Sequence, residues 1–216
     1  MTTIFPVQQV LTTLGSQVLQ PASAGTTSME EILLKHLQTS IELKQIFFLK
    51  EMGHVIATGK DIATSIANGG KILVCGNGGS AADAQHFAAE LSGRFVAERR
   101  ALAGIALTTD TSALTAIGND YGFDNIFSRQ TEALGRKGDI LVGISTSGNS
   151  KNVINASKSA RELGMKTIGL LGKDGGQLID LLDDCLVVQS DVVARIQEIH
   201  IMIIHFWCEI LDEQFK

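Results

Sequence analysis

Five short apolar runs restrict the fold of this chain more than any other feature of its sequence. Each run is bounded by glycine or polar turn residues, and the runs cover residues 72–75, 104–107, 140–144, 167–171 and 185–188. Short runs that are apolar throughout are typical of parallel strands buried on both faces. The segments between them are long enough for helices. The pattern therefore predicts an α/β fold with a doubly wound, parallel five-stranded sheet flanked by helices.

A helical region is predicted before the first strand. Ser28 and Glu31 form a capping box, in which each side chain satisfies a free amide of the other residue. Apolar residues then recur at helical spacing to about Met52, and again from Ile56 to a glycine pair, which predicts two N-terminal helices. Residues 1–28 carry no charge and lack the basic start of a secretory signal, so we expect a flexible extension there. A single domain is predicted over residues 29–216.

Charge and composition exclude several classes of protein. The 23 acidic and 18 basic residues give a net charge of −5, which provides no broad cationic surface for nucleic acid or anionic lipid. The longest apolar stretch, residues 199–211, is shorter than the ~20 residues that span a bilayer. We therefore expect a cytoplasmic protein that binds neither nucleic acid nor membrane. Three irregularly spaced cysteines fit a reducing compartment without a disulfide framework: Cys75, Cys185 and Cys208.

Two turns directly follow predicted strands. In open parallel sheets, ligands bind at the edge that the carboxyl ends of the strands form. Residues 76–80 (Gly-Asn-Gly-Gly-Ser) follow the first strand, and residues 145–150 (Ser-Thr-Ser-Gly-Asn-Ser) follow the third. Both turns are expected to open a helix, whose first amides favour an anion. The first turn also fits a relaxed dinucleotide fingerprint, but the acidic partner, Asp110, comes later than usual.

The second turn contains four hydroxyl side chains. Capping of a helix needs only one such residue, whereas several hydroxyls at a helix start suit a phosphate monoester. We therefore predict phosphate binding by this turn, with ordinary N-capping as the alternative. The candidate residues are Ser145, Thr146, Ser147 and Ser150.

Titratable side chains occur on two of the predicted helices. His86 and Glu90 are four residues apart and share one helix face, where a surface ion pair is the alternative to a functional site. Gln197 and His205 lie on an apolar face of the last helix, where a histidine is often only a hydrogen-bonded core residue. These two residues are separated by about 12 Å of helix rise, so they reach one site only if their side chains lean toward it. Spacing alone leaves both interpretations open.

The two turns resemble those of the sugar isomerase (SIS) domain family, and so does the motif Arg-Ile-Gln-Glu-Ile-His at residues 195–200. The resemblance covers about residues 30–216 and is strongest to the branch that isomerises D-sedoheptulose 7-phosphate. It implies a flavodoxin-like SIS fold and conversion of that ketose to D-glycero-D-manno-heptose 7-phosphate, the first step of ADP-heptose synthesis for lipopolysaccharide. The alternative is a non-catalytic SIS adaptor that binds the replication initiator and has no need of acid, base and ligands together.

The resemblance also implies roles for individual residues. Glu90 and His205 would be the acid–base pair that moves a proton through an enediol(ate), with the order of their action left open. One divalent ion per site, commonly zinc, would be held by His86, Glu90, Gln197 and His205. The family also implies a homotetramer with sites at subunit interfaces. The implied substrate contacts are Asn77, Gly78, Gly79, Ser80, Glu90, Asp110, Ser145, Thr146, Ser147, Ser150 and Gln197.

Three positions qualify that assignment. Asn77 could simply be a turn residue, and Asp110 a helix cap. Ala194 stands where some members of the family have an acidic residue. A substrate or metal contact would then be absent, or supplied by Asp191.

Overall fold

The computed structural model describes residues 28–216, so the extension predicted for residues 1–28 lies, apart from Ser28, outside the described residues. The chain divides into two units, Met1–Gln38 and Thr39–Lys216. In the first unit, helix α1 (Met29–Ala67) begins at the predicted capping box. The Ser28 amide donates to Glu31 Oε2 at 2.9 Å, and the Glu31 amide donates to Ser28 Oγ at 3.2 Å. The capping box is therefore confirmed.

The prediction of two N-terminal helices is wrong, because α1 is a single helix of 39 residues. The predicted break lies near Gly53, which is exposed and helical, with open space around it. A glycine inside a helix costs only about 1 kcal/mol relative to alanine. The buried stripe continues on both sides of it, through Phe47 and Val55 to Ile62, so packing outweighs that cost.

The second unit contains the five predicted parallel strands. They are β1 (Ile72–Gly76), β2 (Gly104–Ala106), β3 (Ile140–Ser145), β4 (Lys166–Gly172) and β5 (Asp184–Val188). The strand order across the sheet is β2-β1-β3-β4-β5, and the direction of this order reverses between β1 and β3. Gly76 at the end of β1 pairs with Ile144 near the end of β3, so both strands end at the same level and their turns leave the sheet side by side.

Helices cover both faces of the sheet and confirm the doubly wound architecture. After α1 they are α2 (Gly79–Ser92), α3 (Thr111–Tyr121), α4 (Ser128–Leu134), α5 (Lys151–Glu162) and α6 (Val193–Phe215). One core contains Phe87 from α2 and Trp207 from α6, together with the buried face of α1. The other contains Val153 from α5. Between β4 and β5 the chain makes a short 3₁₀ turn, Gly176–Leu178, where a helix was expected.

The closing helix α6 packs closely against the part of α1 that belongs to the second unit. Trp207 is fully buried, and its indole donates to the carbonyl of Val55 at 3.1 Å. A Cβ on Gly59 would stand 2.9 Å from the Trp207 ring, so the small residue permits this contact. In residues 28–216, no helix combines the length and the apolar character needed to cross a membrane.

Candidate active site

The two predicted turns are locked together at the point where the strand order reverses. Residues 76–80 lead into α2 and residues 145–150 into α5, which confirms that both open a helix. Asn77 and Asn152 exchange two hydrogen bonds between their side-chain amides, each of 2.9 Å. Sequence analysis did not single out Asn152, which is only 2% exposed and lies just inside α5. Its amide fixes the spacing between the starts of two helices whose first amides favour an anion.

The hydroxyl groups of the second turn are not used to cap α5. Ser150 stands at the N-cap position, yet its side chain makes no capping hydrogen bond. Its Oγ instead lies 3.0 Å from Ser145 Oγ. Ser147 Oγ accepts from the Asn149 amide at 3.2 Å. The N-capping alternative for Ser150 therefore does not describe the structure, and the turn presents hydroxyls beside the helix start.

A third strand-end loop, which sequence analysis missed, supports the second turn. Gly148 has φ of +65°, and a Cβ there would lie 1.9 Å from the carbonyl oxygen of Gly175. The Leu178 amide donates to Gly148 O at 3.0 Å, and the Gln177 amide donates to Asn149 Oδ1 at 3.1 Å. The glycine pair Gly175-Gly176, three residues after the end of β4, was the available signal, because the same rule on strand ends applies to that loop.

Helix α6, which follows β5, runs beside α2. The Gln197 side chain lies against the start of α2, where a Cβ on Gly79 would stand 2.3 Å from its Nε2. Two turns further along, the rings of His86 and His205 meet edge to face, with their centroids 5.1 Å apart. Seven or eight residues of helix separate the two contacts, which corresponds to about 10–12 Å of rise. Gln197 and His205 therefore contact α2 at different levels.

Both predicted acid–base residues contact His86 at the second of these levels. His86 Nε2 is 3.0 Å from Glu90 Oε1. The His205 ring contacts His86 on one side, and on another it stacks on Phe95 at 5.4 Å with an angle of 26° between the rings. His205 is half-buried at the edge of this cluster, so it is not an enclosed core histidine. The structure thus brings both predicted catalytic residues together around His86.

The donor types at this cluster suit a divalent metal such as zinc. Two imidazoles and a carboxylate are common zinc ligands. Across the described part of the chain, however, no group of three or more His, Cys, Asp or Glu side chains is arranged to hold a metal ion. His86 and Glu90 are hydrogen-bonded to each other instead. The residues fit zinc by chemistry and neighbourhood, and the four-residue ligand set stays a prediction.

Asp83 is a further titratable residue on the same face of α2. It follows Gly79 by four residues and precedes His86 by three, which is the spacing that places helical residues in one row. Its Oδ2 is buried and has no hydrogen-bond partner among residues 28–216. Burial raises the pKa of Asp83 to about 6, although the nearby His86 lowers it. The helical spacing was a signal for this residue, but only its burial distinguishes it from a surface carboxylate.

Asp110 lies away from this row, after the edge strand β2. It is exposed, and its Oδ1 accepts from the Ala113 amide at 2.9 Å at the start of α3. This is the helix cap that the sequence allowed as the simpler interpretation. Contact between Asp110 and a sugar hydroxyl stays a prediction.

The model of the SIS domain family matches residues 35–172 of this chain. Phosphoheptose isomerase of Campylobacter jejuni is 64% identical over 163 residues, which cover 76% of this chain and 88% of that protein. The structure of phosphoheptose isomerase from Neisseria gonorrhoeae is 51% identical with a TM-score of 0.82, and the match covers 86% of this chain and all of that one. The enzyme structure from Francisella tularensis is 41% identical with a TM-score of 0.83, covering 86% and 99%. The chain therefore belongs to the SIS domain family and, within it, to the phosphoheptose isomerases.

Proposed function

We propose that this chain isomerises D-sedoheptulose 7-phosphate to D-glycero-D-manno-heptose 7-phosphate. One observation carries the proposal: α2 begins at the first strand-end turn and carries Glu90 near its other end, beside His86 and His205. A single helix thus links an anion site to an acid–base cluster. Relatives that are 64% identical to this chain over 163 residues and are named phosphoheptose isomerase support the assignment.

The phosphate of the sugar would bind where α2 and α5 begin. Ser80, Ser145 and Ser150 would donate hydroxyl hydrogen bonds there, beside helix amides that already favour negative charge. Thr146 and Ser147 complete the hydroxyl set, with backbone contacts from Gly78 and Gly79. Because the net charge is −5, the anion must be attracted locally. Binding the phosphate would hold the carbonyl end of the sugar near Glu90 and limit its motion there.

The reaction moves one proton between neighbouring carbons. Glu90 would take a proton from C1 of the ketose and return it to C2, by way of an enediol. His205 would give a proton to the oxygen on C2 and remove one from the oxygen on C1, so that the hydroxyl becomes the aldehyde. Gln197, Asn77 and Asp110 would bind sugar hydroxyls. Glu90 and His205 would then end the cycle in the protonation states in which they began.

We further propose that zinc binds at this cluster, with His86, Glu90, Gln197 and His205 as ligands. The donor chemistry and the contacts among His86, Glu90 and His205 support this choice. When bound, the ion would supply Lewis-acid stabilisation of the sugar oxygens at the carbonyl end. The Gln197 side chain lies against Gly79, so it would have to turn toward His86 in order to bind the same ion.

An isomerase assay with and without a chelator tests the reaction and the metal separately. We expect the purified protein to convert the ketose phosphate, to lose activity with the chelator, and to regain it when zinc is added. No conversion under any metal condition would refute the proposed reaction. Full activity after verified removal of metal would refute only the role of zinc.

A homotetramer with sites at subunit interfaces is the proposed assembly. Within the second unit, a groove of about 840 Å³ between α1 and α6 is lined mainly by apolar side chains. Leu49 is 82% exposed there, and Met52 is 54% exposed. A second copy covering this groove would remove a large apolar patch from water. Light scattering measures the mass of the assembly. We expect four subunits for the native protein and a smaller species for Leu49→Lys. An unchanged mass in the variant would argue against this interface.

We also propose that the reaction serves as the first step of ADP-heptose synthesis for lipopolysaccharide, in the cytoplasm. The cysteines Cys75, Cys185 and Cys208 are all free, which suits a reducing compartment. Burial raises the pKa of Cys75 to about 12, so this thiol directly before the first turn is unreactive at neutral pH.

A further inference from the structure

A buried ion pair stands behind the acid–base cluster. Arg99 Nε donates to Asp212 Oδ1 at 2.8 Å, and the two side chains are 0% and 7% exposed. Arg99 belongs to the segment after α2, whereas Asp212 lies near the end of α6. Neither residue has a place in the reaction proposed above.

Arg99 caps the end of the helix that carries Glu90. Its Nη2 donates to the backbone carbonyl of Glu90 at 2.7 Å, and its Nη1 donates to that of Leu91 at 3.1 Å. The last carbonyls of a helix have no partner within the helix, and a positive charge there is favourable. The guanidinium therefore fixes the backbone of the very residue proposed as the base.

Asp212 holds the segment that supports His205. Its Oδ2 accepts from the amides of Val96 at 2.8 Å and Ala97 at 2.7 Å. Burial alone would raise the pKa of Asp212, but these hydrogen bonds and the Arg99 charge lower it below its usual value, so the carboxylate stays ionised. Phe95, directly before these amides, stacks on the His205 ring at 5.4 Å.

We propose that Arg99 and Asp212 are positioning residues that set the Glu90 backbone and the His205 ring relative to each other. The inference rests on the proposed function, since it assigns the pair to the acid–base step. Four hydrogen bonds of the pair end on Glu90, on its neighbour Leu91, or on the segment beside Phe95. Arg99 also donates to the carbonyls of Gly93 and Arg100, in the same segment. The strand-end turns bind phosphate at the opposite end of α2. A disturbed pair should therefore lower kcat and leave KM almost unchanged.

The test compares Asp212→Asn with Asp139→Asn. Asp139 is a close match: it is 6% exposed and accepts from two backbone amides, Lys71 and Arg136, and from the Lys71 ammonium. It precedes β3, at the edge of the sheet opposite the strand-end turns. We expect Asp212→Asn to reduce kcat by about tenfold or more with KM within about twofold, because small displacements of reacting groups are costly. Asp139→Asn should lower thermal stability but keep kcat.

The NMR signals of the His205 ring protons provide a readout that does not depend on turnover. They should move in Asp212→Asn, because the stacked Phe95 ring shifts, and stay in place in Asp139→Asn. Arg99→Lys is the second variant, for use if Asp212→Asn fails to fold. It keeps the positive charge but loses the guanidinium group that donates to several acceptors at once, so we expect the same loss of kcat. Unchanged kcat and unchanged His205 signals in folded variants, or an equal kcat loss in Asp139→Asn, would overturn the proposal. A wild-type protein without isomerase activity would overturn the proposed function, and the His205 signals would still decide whether the pair positions that ring.

Discussion

The two ends of the candidate site are built in different ways. The proposed anion end consists of two turns, residues 76–80 and 145–150, each of which is one continuous segment with its backbone and hydroxyl groups at a helix start. The acid–base end consists of single side chains, because Glu90 and His205 come from helices that residues 93–192 separate in the chain. The first end depends on local conformation and the second on the packing of α2 against α6.

This difference predicts two kinds of failure. Changes at the turns should weaken substrate binding, because they alter the shape of an anion site. Changes at the α2–α6 contact should slow the chemical step while substrate still binds. KM and kcat therefore provide a direct test of whether the two ends are separate.

The largest effect is expected at the acid–base end. Glu90→Gln keeps the size of the side chain and can keep a hydrogen bond to His86, but it removes the base. We expect kcat to fall by about a thousandfold, within the usual range for loss of a general base, with a small change in KM. Steady-state assays measure both constants, with circular dichroism as the check on folding. A variant with full turnover would exclude Glu90 as the base.

The next largest effect is expected at Gly148, in the second turn. A Cβ there would lie 1.9 Å from Gly175 O, and φ is +65°, so Gly148→Ala must displace the turn. We expect a loss of about 2–3 kcal/mol in the free energy of unfolding, together with a raised KM. Urea unfolding and steady-state kinetics measure the two effects.

Gly53→Ala is the matched control for that change. Gly53 lies inside α1 with no atom near the added Cβ, so the same substitution should stabilise the protein by up to about 1 kcal/mol. KM should not change. Equal effects of the two substitutions would show that the second turn is not held in the conformation described.

A smaller effect is expected from a single hydroxyl of the second turn. Ser150→Ala removes the contact with Ser145 Oγ but no capping bond, so the helix should keep its stability. We expect KM, and the inhibition constant of inorganic phosphate, to rise by about tenfold, which corresponds to one charge-assisted hydrogen bond. Ser128→Ala at the start of α4 is the control, because its hydroxyl donates to Asn125 O and lies outside the second turn. If KM is unchanged in Ser150→Ala, this hydroxyl does not bind the phosphate.

The same contrast explains how much the sequence could predict. All five strands and both turns were predicted correctly, because apolar runs and glycine-rich turns are local patterns. The single helix α1 was not: two helices were predicted from a pause in the apolar spacing after Met52, but the buried stripe continues past that point. Contacts that join distant residues left no local pattern: Asn77 bonds to Asn152 across 75 positions, and Arg99 to Asp212 across 113. For Glu90 and His205, the family resemblance pointed to a shared site that helical spacing left open.

The smallest effect is expected at a cluster remote from both ends. His54 lies on α1. Its Nε2 is 2.6 Å from Oδ1 of Asp184, at the start of β5, and its Nδ1 is 3.2 Å from Oε2 of Glu51. Burial would lower the pKa of His54, but hydrogen bonds and attraction from Asp184 and Glu51 raise it above its usual value. A raised pKa in the folded state means that the protonated histidine stabilises the fold below about pH 6.5, and that this contribution disappears as the pH rises through the folded pKa.

His54→Gln should therefore lose more stability at about pH 5.5 than at about pH 8.5. Because the side chain is 37% exposed, the difference should be only a few tenths of a kcal/mol. Urea unfolding at the two pH values measures it, with Lys50→Gln as a control for the charge change on the same helix. Since the cluster lies at the amino end of β5, away from the strand-end turns, kcat and KM should both stay unchanged. A change in either constant would mean that the two ends of the site are coupled through α1 and the sheet, and that their separation is less complete than the contacts of α2 and α6 indicate.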